Sequence, residues 1–142
     1  PHSGRPSHIL MPMIRSALSL LLDEIGVETL VGQLRRRTSA IASAARQLGF
    51  HVPSRQSAAF VGIYPAGWME EIGLNAAEIV NQLSRWKPKP VIVAERFGAL
   101  RISPHLYNTD DEIHTLLRAL EAILGARRQG QAHADRLPRS LL

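Results

Sequence analysis

The sequence of 142 residues contains no cysteine and only two lysines. The absence of cysteine excludes disulfide bonds, thiolate metal ligands and a cysteine nucleophile within this chain. Both lysines lie in the stretch Lys87-Pro88-Lys89-Pro90. A lysine that forms a Schiff base needs burial or a nearby cation to lower its pKa, and a linker of alternating prolines offers neither. We therefore expect no Schiff-base lysine in this chain.

Long apolar runs are also absent. The longest run lies near residues 18–22, far short of the roughly 20 apolar residues that a membrane-spanning helix needs. No basic-then-apolar leader opens the sequence. The length, with 45% hydrophobic residues, favours a single globular core. We therefore expect a soluble cytoplasmic protein with no membrane partner.

The positive charge is concentrated at the C-terminal end. Residues 1–124 carry thirteen basic and eleven acidic side chains, a net charge of +2, whereas residues 125–142 carry four and one, a net charge of +3. This composition predicts a basic, disordered tail over residues 125–142. No nucleic-acid partner is expected; binding through the tail would require an affinity that falls steeply with salt and is lost when the tail is removed.

The spacing of apolar residues predicts four helices. They cover residues 8–25, 27–48, 76–86 and 110–124. Ser7 is the predicted N-cap of the first, and Gly26 is its stop. Asn75 with Glu78 predicts the N-terminal cap of the third, and Thr109-Asp110-Asp111-Glu112 forms a capping box before the fourth.

Short segments rich in β-forming residues separate these helices. They lie at residues 50–52, 58–64, 91–94 and 99–103. The last two flank Glu95-Arg96-Phe97-Gly98, which predicts a hairpin. The order of elements predicts an α+β fold, with a small, mostly antiparallel sheet and helices on one face.

The motifs of self-contained active sites are missing. The six histidines match no metal-binding spacing, and neither a G-x-S-x-G elbow nor a phosphate-binding loop occurs. The sequence therefore nominates no metal ligand and no catalytic residue.

The stretch LRISPHLYNTDDEI, residues 100–113, resembles the C-terminal end of the class V pyridoxal-phosphate-dependent aminotransferases. This group includes cysteine desulfurases, selenocysteine lyases and isopenicillin N epimerase-like enzymes. In the family, a strand with an R-[IVA]-S motif leads through H/F-x-Y-N-T into a terminal helix with an acidic start. Gly4-Arg5-Pro6-Ser7 is similar to the family's G-T-P-S/N segment. The resemblance covers roughly residues 1–124.

The resemblance implies a chain that lacks the large, catalytic domain. Residues 1–25 would be the segment and helix from the end of the large domain, and residues 26–124 the C-terminal small domain of a fold-type-I enzyme. The family's cofactor lysine, and the aspartate that pairs with the pyridine nitrogen, lie upstream. The complete enzyme would bind pyridoxal phosphate, act on an amino acid and form a homodimer. The chain alone is expected to bind no cofactor and to be inactive.

The resemblance also assigns site residues. Arg101 matches the arginine that binds the substrate carboxylate. His105 and Asn108 would line the same mouth, although a loop histidine and a turn-forming asparagine are equally consistent with the sequence. Arg5 stands where the family often has a threonine that reaches the cofactor phosphate of the partner subunit. The absence of a sulfur-accepting cysteine disfavours a desulfurase and leaves transaminase, epimerase or lyase chemistry open.

An alternative hypothesis assigns the chain a different kind of function, that of a noncatalytic interaction module that retains the small-domain fold. It would dock a partner through the apolar residues of the first helix, among them Ile14, Leu18 and Leu21.

Overall fold

A computed structural model describes residues 10–134, with side chains described through residue 130. Five α-helices, one π-helical segment and three strands form this part of the chain. In order they are α1 (Leu10–Ser19), the π-helical segment (Leu20–Ile25), α2 (Val27–Gln47), β1 (Val61–Ile63), α3 (Gly67–Glu71), α4 (Ala76–Ser84), β2 (Ala94–Arg96), β3 (Ala99–Ile102) and α5 (Asp110–Ala134). The predicted α+β class is confirmed.

The three strands form one antiparallel sheet in the order β1-β3-β2. Side chains alternate between the two faces of a strand. The inner face carries four buried side chains, which form two cross-strand pairs: Val61 with Ile102, and Ile63 with Leu100. The helices cover this face, as the sequence predicts.

The core lies between the inner face of the sheet and three helices. Helix α2 contacts β1 and α5, and α4 contacts β2, β3 and α5. Each of these helices buries one apolar stripe because its apolar residues recur at helical spacing. Fully buried side chains include Ile41 of α2, Ile79 of α4 and Leu120 of α5.

Two predicted helix caps are present. The Asn75 side chain accepts a hydrogen bond from the Glu78 amide at 2.9 Å, at the start of α4. Before α5, Thr109 Oγ1 accepts from the Glu112 amide at 3.2 Å, and Glu112 Oε2 accepts from the Thr109 amide at 3.3 Å. These reciprocal bonds satisfy backbone donors that a helix leaves unpaired.

The strands are shorter than the sequence predicts. Residues 50–52 form only an isolated bridge, His51 with Tyr64. The predicted strand at 91–94 is wrong in position, because β2 begins at Ala94. The Val91 amide donates to the Leu83 carbonyl at 2.9 Å, so the chain there is tied to the end of α4 and not to the sheet.

Two helical segments were not predicted. Helix α3 follows Pro65 and Ala66, where the sequence predicts only a connection. Helix α5 continues to Ala134, so the prediction of a disordered tail from residue 125 is wrong for residues 125–134. Arg127 and Arg128 explain part of the extension: the first pairs with Glu78 at 3.4 Å, and the second lies 4.2 Å above the Trp68 ring. Both contacts anchor the added turns to the domain.

The N-terminal helical region has no buried side chain in either α1 or the π-helical segment. Ile14 and Leu18 are each 49% exposed. Gly26 ends the region at a φ of 81°, a conformation that favours glycine. The predicted cap, Ser7, lies outside the described residues.

Candidate functional site

Arg101 lies in β3, on the outer face of the sheet. Its neighbours Leu100 and Ile102 point into the core and are buried, so strand alternation directs Arg101 the other way. The side chain is exposed. No hydrogen bond or ion pair to Arg101 occurs within residues 10–134.

The residues beside Arg101 are small. Its cross-strand partners are Gly62 in β1 and Ala94 in β2. A Cβ atom built on Gly62 would lie 3.9 Å from Ala99 Cβ and 3.9 Å from Tyr64 Cε2. Glycine is therefore not required there by crowding, and the Tyr64 ring lies beside it on the same face.

A turn joins β3 to α5 and contains two other predicted site residues. The Asn108 side chain accepts a hydrogen bond from the His105 amide at 2.8 Å, and the Asn108 amide donates to the His105 carbonyl at 3.1 Å. These bonds are typical of an asparagine that stabilises a turn. The His105 ring stacks on Tyr107 with a centroid distance of 4.7 Å, and its buried Nδ1 has no hydrogen-bond partner among the described residues.

Helix α2 supports this turn through Arg37. The sequence shows Arg37 only as one of three consecutive arginines, and nothing there predicts its role. In the fold, Arg37 Nη1 donates to the His105 carbonyl at 2.8 Å, and Nε lies 4.0 Å from Asp110 Oδ1.

Glu112 connects the turn to the proline-rich linker. Its Oε1 lies 2.7 Å from Lys89 Nζ, and its Oε2 accepts from Asn108 Nδ2 at 3.1 Å. The Lys89 hydrogen bond, followed by those from Asn108 and the Thr109 amide, lowers the pKa of Glu112 from 4.5 to about 2. The carboxylate is thus held ionised in the turn.

A groove of about 290 Å³ lies between the linker and the start of α5. Apolar side chains such as Ile92, Val93 and Leu116 line most of it, with Asn108 and Glu112 among its polar residues. Arg101 and His105 are not among the lining residues. The structure therefore brings His105 and Asn108 together in one turn. Of the three predicted site residues, only Asn108 lines the groove, and Arg101 lies outside it.

Three basic residues bear on how this chain could contact pyridoxal phosphate: Lys87, Lys89 and Arg5. Lys87 and Lys89 are exposed, and Lys89 is already paired with Glu112. Arg5, the predicted phosphate contact, lies outside the described residues. Within residues 10–134, no group of three or more histidine or acidic side chains is arranged to hold a metal ion. No helix in the same range is long and apolar enough to cross a membrane.

The chain is similar to known proteins in sequence and in fold. No protein-family model matches the chain. The chain is 32% identical over 120 residues to the "Uncharacterized aminotransferase YcbU" of Bacillus subtilis (strain 168), a match that covers 84% of this chain and 30% of the relative. A solved structure titled "NIFS-LIKE PROTEIN" superposes with a TM-score of 0.55 and 22% identity, over 67% of this chain and 28% of the other.

The chain thus spans about 30% of the length of the curated relative that it matches. The match by fold is also confined to a small part of a longer chain. The sequence match to part of an aminotransferase bears out the resemblance to these enzymes, and the structural match shows that the chain shares its fold with part of a NifS-like protein.

Proposed function

We propose that this chain is the C-terminal small domain of a pyridoxal-phosphate-dependent enzyme and that Arg101 binds the carboxylate of its amino-acid substrate. The observation that carries the proposal is the exposed position of Arg101 on the outer face of the sheet, with no acidic partner in the described residues and with Gly62 and Ala94 beside it.

The chemistry of the guanidinium suits this role. Its two parallel N–H donors match a carboxylate in a bidentate arrangement, which fixes the orientation of the amino acid as well as its position. A fixed orientation places the reacting bond at Cα correctly relative to the cofactor. Because the Arg101 side chain is exposed in this chain, the role requires a second surface opposite Arg101, which the remainder of the enzyme would supply.

The remainder of the enzyme would also hold the cofactor. Neither lysine of this chain is placed to form a Schiff base, so we infer that the cofactor lysine belongs to the large domain. Residues 1–25 would cross from that domain, and residues 26–124 would form the small domain. The exposed apolar side chains of α1, including Ile14 and Leu18, fit a helix that packs against another domain.

His105 and Asn108 have a mainly structural role in this proposal. Their mutual hydrogen bonds favour a turn-building role, with contact to the substrate secondary. The class of reaction stays open among transamination, epimerisation and lysis, and the absence of cysteine disfavours sulfur transfer. A homodimer is part of the proposal because the family is dimeric.

The test is the affinity of the complete enzyme for its amino-acid substrate. We expect Arg101→Gln to weaken binding by about 2 to 4 kcal/mol, the scale for removing one side of a desolvated charge pair. Arg101→Lys should recover part of the loss, since it keeps the charge without the planar fork. Arg118→Gln is the matched control, because Arg118 is an exposed arginine on α5, away from the sheet. Unchanged affinity in Arg101→Gln would reject the assignment.

A noncatalytic interaction module is the second candidate, and the exposed α1 is the observation that favours it. The intact mass and the reading frame of the natural protein separate the two. A catalytic domain with a cofactor lysine upstream of Pro1 supports the enzyme, and a natural start near Pro1 supports the module. In addition, borohydride reduction of the 142-residue chain with pyridoxal phosphate should trap no specific lysine adduct.

A further inference from the structure

We infer that Arg96 is a second substrate-binding residue and that the substrate of the complete enzyme is an amino acid with an acidic side chain. The inference rests on the proposed role of Arg101 and adds to it the class of substrate.

The strand register places the two arginines on one face. Arg96 lies opposite Ala99, and Arg101 lies opposite Ala94, in the same antiparallel ladder. Directly opposed residues share a face, and positions two apart on a strand return to that face. The four side chains therefore form a square in which the arginines occupy one diagonal and the alanines occupy the other.

The hairpin turn fixes this arrangement. Phe97 and Gly98 form a two-residue turn in the left-handed region, with φ values of 52° and 76°. Glu95 Oε1 accepts a hydrogen bond from the Gly98 amide at 2.8 Å, which engages the one carboxylate of the hairpin. Glu95 pairs with Leu100 and so belongs to the opposite face. The two-residue turn therefore places Arg96 on the same face of the sheet as Arg101.

The outer face has an unbalanced charge. Its five strand positions are Gly62, Ala94, Arg96, Ala99 and Arg101. None is acidic, and within residues 10–134 neither arginine forms an ion pair. The Arg96 guanidinium bonds only to the carbonyl of Glu95, at 3.2 Å. Two neighbouring cations without a counter-charge repel each other, and a ligand with two negative groups relieves that repulsion.

The spacing suits a short diacid. Diagonal neighbours in an antiparallel ladder lie roughly 7–8 Å apart, within reach of long side chains. One carboxylate can be held by each guanidinium while the carbon chain passes over the half-buried Ala94; Ala99, on the other diagonal, is already buried. Arg101 would hold the carboxylate at Cα, and Arg96 would hold the acidic group of the substrate side chain.

The experiment compares glutarate with butyrate, a diacid with a related monoacid, as ligands of the complete enzyme in calorimetric titrations at fixed ionic strength. We expect glutarate to bind about tenfold more tightly than butyrate. Arg96→Gln should abolish this advantage without changing the affinity for butyrate. Arg101→Gln should weaken both ligands, and Arg118→Gln should weaken neither.

The outcomes separate the two proposals. If Arg101→Gln weakens both ligands but Arg96→Gln leaves the glutarate advantage intact, the acidic substrate class is wrong while the carboxylate role of Arg101 stands. If Arg101→Gln changes neither affinity, the proposed function itself fails. Inorganic phosphate is the third ligand. Binding of phosphate as tight as that of glutarate, with the same dependence on Arg96, would indicate an unselective anion patch and overturn the inference.

Discussion

Arg37 in α2 donates a hydrogen bond to the carbonyl oxygen of His105, 2.8 Å away, although 68 residues separate the two in the sequence. The bond joins α2, a long helix that packs on the core, to the turn that leads from β3 into α5. Because the Arg37 side chain is only 17% exposed, water replaces this contact poorly. The position of the turn therefore depends on α2 as well as on its own hydrogen bonds.

Replacement of Arg37 by alanine should destabilise the fold. A hydrogen bond from a charged donor contributes about 1.5–3 kcal/mol, and we expect a loss of that size in the free energy of unfolding, measured by urea denaturation. Arg36→Ala is the matched control, since Arg36 is exposed and bonds only to Gln33 in its own helix. Equal effects of the two substitutions would show that the contact with His105 adds no stability.

The Glu112 network predicts a dependence of stability on acid pH. The hydrogen bond from Lys89 is the main reason that the pKa of Glu112 falls from 4.5 to about 2 in the folded chain. A lowered folded-state pKa contributes stability that is complete above the unfolded value of 4.5 and is lost as the pH falls toward 2. We expect the melting temperature of the wild type to fall through this window by more than that of Glu112→Gln. Lys89→Met should reduce the acid sensitivity in the same direction, and identical pH profiles for all three proteins would contradict the assignment.

The position of Gly62 opposite Arg101 gives a prediction. Gly62→Ala places a methyl group at ordinary contact distance, 3.9 Å from Ala99 Cβ and Tyr64 Cε2, and should leave stability and binding nearly unchanged. Gly62→Leu adds a bulky side chain directly opposite Arg101 and should weaken carboxylate binding by the complete enzyme at least about tenfold. Calorimetric titration measures both effects. Gly32→Leu, at an exposed position of α2 with no atom within 4 Å of the added Cβ, is the control for a general effect of leucine.

The exposed apolar face of α1 predicts self-association of the 142-residue chain on its own. Contiguous apolar surface that is uncovered in water favours association. Light scattering across micromolar concentrations should show species larger than a monomer, and the double substitution Ile14→Lys and Leu18→Lys should restore the monomer. Ile92→Lys changes an apolar residue that is 77% exposed elsewhere and should have no such effect. A monomeric wild type at all concentrations would reject the prediction.

Local patterns in the sequence predicted much of the fold. The helical spacing in α2 and α4, the Asn75 cap and the Thr109–Glu112 capping box are each formed by residues within a few positions of one another, so their structure follows from nearby residues. The resemblance to a family was also inferred from a short stretch, residues 100–113, and the comparisons bear out that resemblance for the chain.

The predicted boundaries of β2 and α5 were wrong because they depend on contacts with residues distant in the sequence. The segment at 91–93 does not extend β2, because Val91 bonds to Leu83 at the end of α4. Helix α5 continues past residue 124, where Arg127 and Arg128 reach Glu78 and Trp68. The periodicity of apolar residues cannot predict such contacts, since they form only when the helices pack.

The sequence could have predicted that Arg96 shares a face with Arg101, but this relationship was not predicted. A two-residue turn at Phe97 and Gly98, in place of the four-residue connection that was predicted, puts Arg96 and Arg101 on one face by strand alternation alone.

By itself, then, the sequence determined the fold class, the helix caps and the family motif, because these are set by short-range spacing and side-chain chemistry. Only the tertiary structure decided that Arg101 lies between Gly62 and Ala94 on the outer face of the sheet, that His105 is held by Arg37, and that Glu112 is ionised beside Lys89. Each of these relationships joins residues from separate elements, and their proximity arises only when burial of the common core fixes those elements against one another.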